Sequence, residues 1–119
     1  MAREKFENRH AGTTIDVVHG YRGADKRVIS VTYARLPRPG DHPYIPTGRI
    51  GEFWVNTVDG NARGVNDDMP DTCLATSRSL QYGETVDQLA RSVQRDDRGK
   101  PIGWLGSILD ALKKEPAYV

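Results

Sequence analysis

Residues 48–83, GRIGEFWVNTVDGNARGVNDDMPDTCLATSRSLQYG, carry in one run a strand, an irregular turn and a helix, and the rest of the chain reads as packing on that run or leading to it. The first part alternates. Ile50, Glu52, Trp54 and Asn56 fall on one side of a strand over 50–58, with Gly51, Phe53, Val55 and Thr57 on the other. Asp59, Gly60 and Asn61 mark a turn. Asp67 and Asp68 then bring negative charge to the start of a helix, and Pro70 fits its first turn, where no N–H bond is lost. Met69, Cys73, Leu74, Ser77 and Leu80 recur at helical spacing and define the face expected to turn inward. Gly83 suits a left-handed cap that stops the helix.

Upstream, 13–18 are rich in β-branched residues and predict a first strand. A glycine-containing turn at 21–26 follows, and then 27–36 alternate, with Ile29, Val31, Tyr33 and Arg35 opposite Val28, Ser30, Thr32 and Ala34. Four prolines and a glycine in 37–47, PRPGDHPYIPT, exclude a helix or a central strand. That segment is expected as an exposed, extended loop. It is either a solvated connection or a contact surface carrying Arg38, His42 and Tyr44.

Downstream, Thr85 and Gln88 have the spacing of a capping box opening a second helix, with Val86, Leu89, Ala90 and Val93 inward. The charged run RDDRGK at 95–100 is a loop. Pro101 is expected to begin a third helix whose apolar face is Ile102, Leu105, Ile108 or Leu109, and Leu112; Lys113 and Lys114 suit its C-terminal dipole, and Pro116 stops it. Strands first and helices afterwards predict an α+β fold: a three-stranded antiparallel meander with three helices packed on one face, Phe53 and Val55 in the core and Trp104 near its edge. The expected organisation is an arm at 1–12, one domain at 13–115 and a tail at 116–119.

Composition narrows the function. The chain has 119 residues, 37% hydrophobic and 28% charged, which suits one globular domain. No apolar run approaches the ~20 residues that span a bilayer, and MAREKFENRH lacks the apolar centre of a signal peptide, so the expected address is cytoplasmic. With 17 basic against 16 acidic residues, the net charge of +1 provides no general field for nucleic acid. Cys73 is the single cysteine, which excludes an intrachain disulfide, a CxxC pair and a cysteine-only zinc site made by this chain. His10, His19 and His42 lack the spacing of a helical metal pair, and no metal or cofactor is expected.

The order GRIGEFWVN, a helix ending SLQYG, ETVDQL, and GWLGSILDAL after a loop resembles the C-terminal domain of vitamin B12-dependent (class II) ribonucleotide reductases, a member of the TSCPD-domain family. The resemblance covers roughly residues 28–115. In the family, the strand carrying Gly48, Arg49, Gly51 and Glu52 leads to the helix ending at Tyr82 and Gly83, and those are the matching positions. This chain departs from the pattern at 104–110, where no Thr-Ser-Cys-Pro-Asp run or cysteine occurs. It also lacks the reductase barrel, its radical-forming cysteine, its cobalamin site and its dithiol, so the resemblance implies no reduction of ribonucleotides by this chain alone.

Three functions are open at this point. The first is a non-enzymatic accessory or interaction module of the TSCPD type, acting through a protein partner in deoxynucleotide metabolism and assembling as a homo-oligomer through its uncovered sheet face. The second is a binder of a nucleotide or similar anion, held by Arg49, Glu52, Trp54, Arg63, Asn66 and Asp68 around the strand and the helix start. Asp67 and Asp68 oppose it, since as caps they repel an anion. The third is nucleic-acid binding through Arg35, Arg38, Arg49 and the N-terminal arm. No catalytic residue is assigned: Ser77 and Ser79 have no base at a fixed spacing, and Cys73 is read as a buried, inert thiol. Trp54 and Trp104 are interface anchors if exposed and core if buried.

Overall fold

The computed structural model of the chain describes residues 3, 12–20, 27–42, 44–56 and 69–116. The expected turn at 21–26, most of the expected arm, the approach at 57–68 and the end of the tail lie outside them. Strands β1 (Gly12–His19), β2 (Arg27–Arg35) and β3 (Ile50–Val55) form one antiparallel sheet in sequence order, as the alternation predicts. Helices α1 (Met69–Gln81), α2 (Val86–Ser92) and α3 (Trp104–Lys113) follow. Val17, Ile29, Val31 and Phe53 from the sheet pack with Leu80, Ala90, Ile108, Leu109 and Leu112 from the helices. The fold is therefore the expected α+β, and Trp104 is part of the core.

Local chemistry explains where elements begin and end. Thr85 accepts from the Gln88 N–H at 3.1 Å and the Gln88 side chain accepts from the Thr85 N–H at 2.9 Å, which completes the capping box of α2. Gly83 turns the chain out of α1 at φ 120°, where a side chain would be strained. The third helix starts at Trp104, not at Pro101. Pro101 bridges to Arg95, and the Ile102 N–H donates to the Gln94 carbonyl, so both residues close a small hairpin around RDDRGK before the helix begins. Ile102 is consequently 57% exposed, outside the apolar face expected for it. Leu74 is 63% exposed, because it lies about 100° around the helix from Cys73.

A bulge corrects the expected facing of Ile50. Ala34 pairs with Glu52 and Arg35 with Ile50, so Gly51 is the extra residue and Ile50 joins the core. The bulge closes tightly over Leu36. A Cβ on Gly51 would fall 2.4 Å from Leu36 Cγ, and Leu36 itself is fully buried.

Helix α1 docks on β3 through polar side chains. Ser77 Oγ accepts from the Phe53 N–H at 3.1 Å and donates to the Phe53 carbonyl at 3.2 Å, while Gln81 Nε2 donates to the Gly51 carbonyl at 3.1 Å. The Val55 backbone bonds to the Cys73 sulfur. One turn of helix per two residues of strand thus satisfies the edge of β3 that β2 leaves open.

Two measurements check this packing. Gly51→Ala is expected to cost about 1–3 kcal/mol in chemical denaturation by crowding Leu36, and the Gly51→Ala/Leu36→Ala double variant should cost less than the sum of the two singles. Ser77→Ala should cost about 1–3 kcal/mol, because it strands both backbone groups of Phe53. A loss within experimental error would mean that water replaces the hydroxyl and that the edge is not sealed.

Candidate functional site

The other edge of the sheet is different. Ser30 accepts at its carbonyl from the Asn56 N–H at 2.9 Å, so its backbone faces β3. Asp16, its partner across β1 and β2, therefore points its own N–H and C=O away from β2, and by alternation so do Thr14 and Val18. The hydroxyls of Thr14 and Thr32 confirm the register. They meet at 2.8 Å, the close approach of a pair without mutual backbone bonds. Among the described residues, none pairs with this edge.

A groove of about 530 Å³ runs beside it, touching every residue from Ile15 to Gly20. Its opposite wall is one face of α3, with Ser107, Asp110, Ala111 and Lys114 at helical spacing, together with the turn around Lys100. That turn is anchored. Arg95 donates to both Asp110 oxygens at 2.8 Å and also to the carbonyls of Ala90 and Gly99, and Asp96 Oδ1 accepts from the Arg98 and Lys100 N–H groups. The pairing pulls the Asp110 carboxyl below its ordinary range, chiefly through the Arg95 hydrogen bonds. Glu115 accepts from the Tyr33 hydroxyl at 2.8 Å. Among the described residues, only Asp110 of the groove's three carboxylates is thus paired with a cation; Asp16 and Glu115 keep their charge, while Arg98, Lys100 and Lys114 are exposed along its walls.

His19 occupies the inner side of the groove. Its Nδ1 is hydrogen-bonded to Ser107 Oγ at 2.6 Å, and its ring lies 4.9 Å from that of Trp104. Burial first, and then the charge of Arg27, hold its pKa below the ordinary 6.5, against a backbone contact with Ile102. The imidazole is accordingly neutral near pH 7 and ties β1 to α3. Ser107 and His19 have the spacing of a nucleophile and base, and the sequence reading missed the pair because 88 residues separate them.

The predicted ligand residues do not converge. Arg49 donates from Nη2 to the Leu80 carbonyl at 2.9 Å, at the end of α1, and it lines a separate cleft of about 340 Å³ with Arg35, Arg38 and Lys113. Glu52 and Trp54 lie on β3, away from that cleft, with Trp54 39% exposed on the uncovered face. Arg63, Asn66 and Asp68 lie outside the described residues, as does Asp67. The proline-rich loop is organised by Asp41, whose Oδ2 accepts from the Arg38 and Thr47 N–H groups at 2.6 and 2.8 Å. Arg38 Nε donates to Thr47 Oγ1 at 2.9 Å, which gives one rim of the Arg49 cleft a fixed shape. Cys73 is buried, and its thiol is pushed up to about 11, chiefly by burial. Among the described residues, no three His, Cys, Asp or Glu gather as a metal site would require, and no helix is long and apolar enough to cross a membrane.

No family model matches this chain, and no curated protein or solved structure matches it either.

His19 gives the groove a pH dependence whose sign follows from its depressed pKa. The unfolded chain takes up the proton first, so His19 contributes stability that is present above about pH 6.5 and is lost as pH falls through the folded value. Urea midpoints should therefore drop between about pH 7.5 and about pH 5.5, and His19→Gln should flatten that decline. An equally steep decline in the variant would assign it to another group.

Proposed function

We propose that this chain is a non-enzymatic interaction module, related to the C-terminal TSCPD domain of class II ribonucleotide reductases, that works in the cytoplasm on a protein partner in deoxynucleotide metabolism. The observation that carries the reading is the unequal treatment of the two sheet edges. Side chains of α1 satisfy the outer backbone of β3, whereas among the described residues β1 presents three residues of outward N–H and C=O to a groove. Proteins ordinarily blunt an exposed edge, because it is a template for pairing with another chain. An edge kept open beside a walled groove is the geometry by which a domain accepts a partner's backbone.

A second reading, binding of a nucleotide or other small anion, is favoured by the convergence of Arg35, Arg38, Arg49 and Lys113 on one cleft. The two readings separate in one experiment. The purified chain is titrated against an intact B12-dependent ribonucleotide reductase and, separately, against ribo- and deoxynucleotides, with mass followed by light scattering and stability by thermal melting. The module reading expects a complex of defined stoichiometry that Asp16→Pro weakens, and nucleotides that leave the melting temperature unchanged. A nucleotide at 100 times its dissociation constant would add about 2.7 kcal/mol of stability. That result, lost in Arg38→Ala and obtained without any reductase complex, would transfer the function to the arginine cleft.

A further inference from the structure

We infer that the segment received along β1 is an extended acidic stretch of the partner, which adds to the sheet as a fourth strand; this assignment rests on the interaction-module reading. Thr14, Asp16 and Val18 offer N–H and C=O at every second residue, which is the ladder that a strand completes and that a helix or a folded surface cannot. A strand added at the usual ~4.8 Å from β1 enters the groove bounded by the α3 face. Its side chains on that side meet Arg98, Lys100 and Lys114; Asp110 is ion-paired with Arg95, and the three cations outnumber the remaining groove carboxylates, Asp16 and Glu115, the latter still charged while it accepts from the Tyr33 hydroxyl. A carboxylate-bearing segment is therefore attracted, and a basic one is repelled.

Other occupants fit less well. A second copy pairing through β1 would bring the strand GTTIDVVH, which carries one carboxylate, and would set one basic wall near another. A nucleic acid would meet the same cations, but its backbone has no alternating donors and acceptors to complete the ladder.

The test uses the full chain and two capped seven-residue peptides, one alternating valine with glutamate and the other valine with lysine. Binding is followed by anisotropy and by hydrogen exchange resolved at single amides. The glutamate peptide is expected to bind at least about tenfold more tightly than the lysine peptide, with salt weakening it. It should slow exchange at Thr14, Asp16 and Val18. Asp16→Pro removes one outward N–H and should abolish binding while leaving exchange in β2 as it was. The Lys100→Glu/Lys114→Glu variant, which alters only exposed side chains, should invert the preference between peptides.

Equal affinity for both peptides would overturn the acidic assignment and leave the module reading standing. Protection of the three amides by dimerisation of the chain, seen by light scattering without any peptide, would identify the occupant as a second copy and overturn the proposal. A reductase complex that forms while neither peptide protects β1 would overturn strand addition but not the module. Protection by the glutamate peptide with no reductase complex would uphold strand addition and remove the reductase partner.

Discussion

The fold depends on a match of two periods. Four residues of α-helix advance about 6 Å and two residues of strand advance about 6.6 Å, so side chains four apart on α1 can meet backbone groups two apart on β3. Cys73, Ser77 and Gln81 do this against Val55, Phe53 and Gly51. The match fixes how α1 lies on the sheet, and with it the direction in which Met69 and Leu80 enter the core. Arg49 extends the same interface by one step, holding the Leu80 carbonyl at the end of the helix. The burial that raises the Cys73 thiol belongs to this interface, so an inert cysteine is a by-product of sealing an edge.

Among the described residues, sealing β3 leaves the sheet with one accessible flank, and the last third of the chain shapes it. Arg95 and Asp110 lock the 95–101 turn to α3, while His19 joined to Ser107 sets the distance between that helix and β1. The groove therefore does not need a ligand to hold its walls apart. Its backbone donors and acceptors come from β1, and its cations come from a turn and a helix that Arg95 and Asp110 brace against each other. Separating the two sources allows the charge of the wall to vary without disturbing the ladder.

Much of this could be read in the sequence, for definable reasons. Period-two alternation in β2 and the Thr85–Gln88 box are local patterns with local causes, and both appear in the structure as expected. The misplacements have tertiary causes. Ile50 changes face because Gly51 bulges over Leu36, a contact across the hairpin. The α3 start moves to Trp104 because Pro101 and Ile102 are used by a hairpin that begins at Gln94. Ser77 was legible as facing inward, but not as the cap for Phe53, since its position on an apolar stripe conceals that its target is polar. The groove was the least legible feature. Whether an edge is open depends on which neighbours fail to cover it, and no window of sequence contains that information.

Strand addition also constrains where discrimination can arise. Each backbone hydrogen bond formed along β1 replaces bonds to water, so its net contribution is only about 0.5–1.5 kcal/mol and is nearly the same for any sequence able to extend. The ladder alone thus binds weakly and selects conformation rather than identity. Selection among extended segments has to come from side chains that reach the walls, and three exposed cations against Asp16 and Glu115, with Asp110 paired to Arg95, give those walls a sign. Asp16 refines the selection from the opposite side: its carboxylate lies on the open face, so a partner residue beside it there is favoured when neutral or basic. Because successive side chains of a strand alternate between faces, the preferred segment carries its acidic residues at every second position and not in an unbroken run.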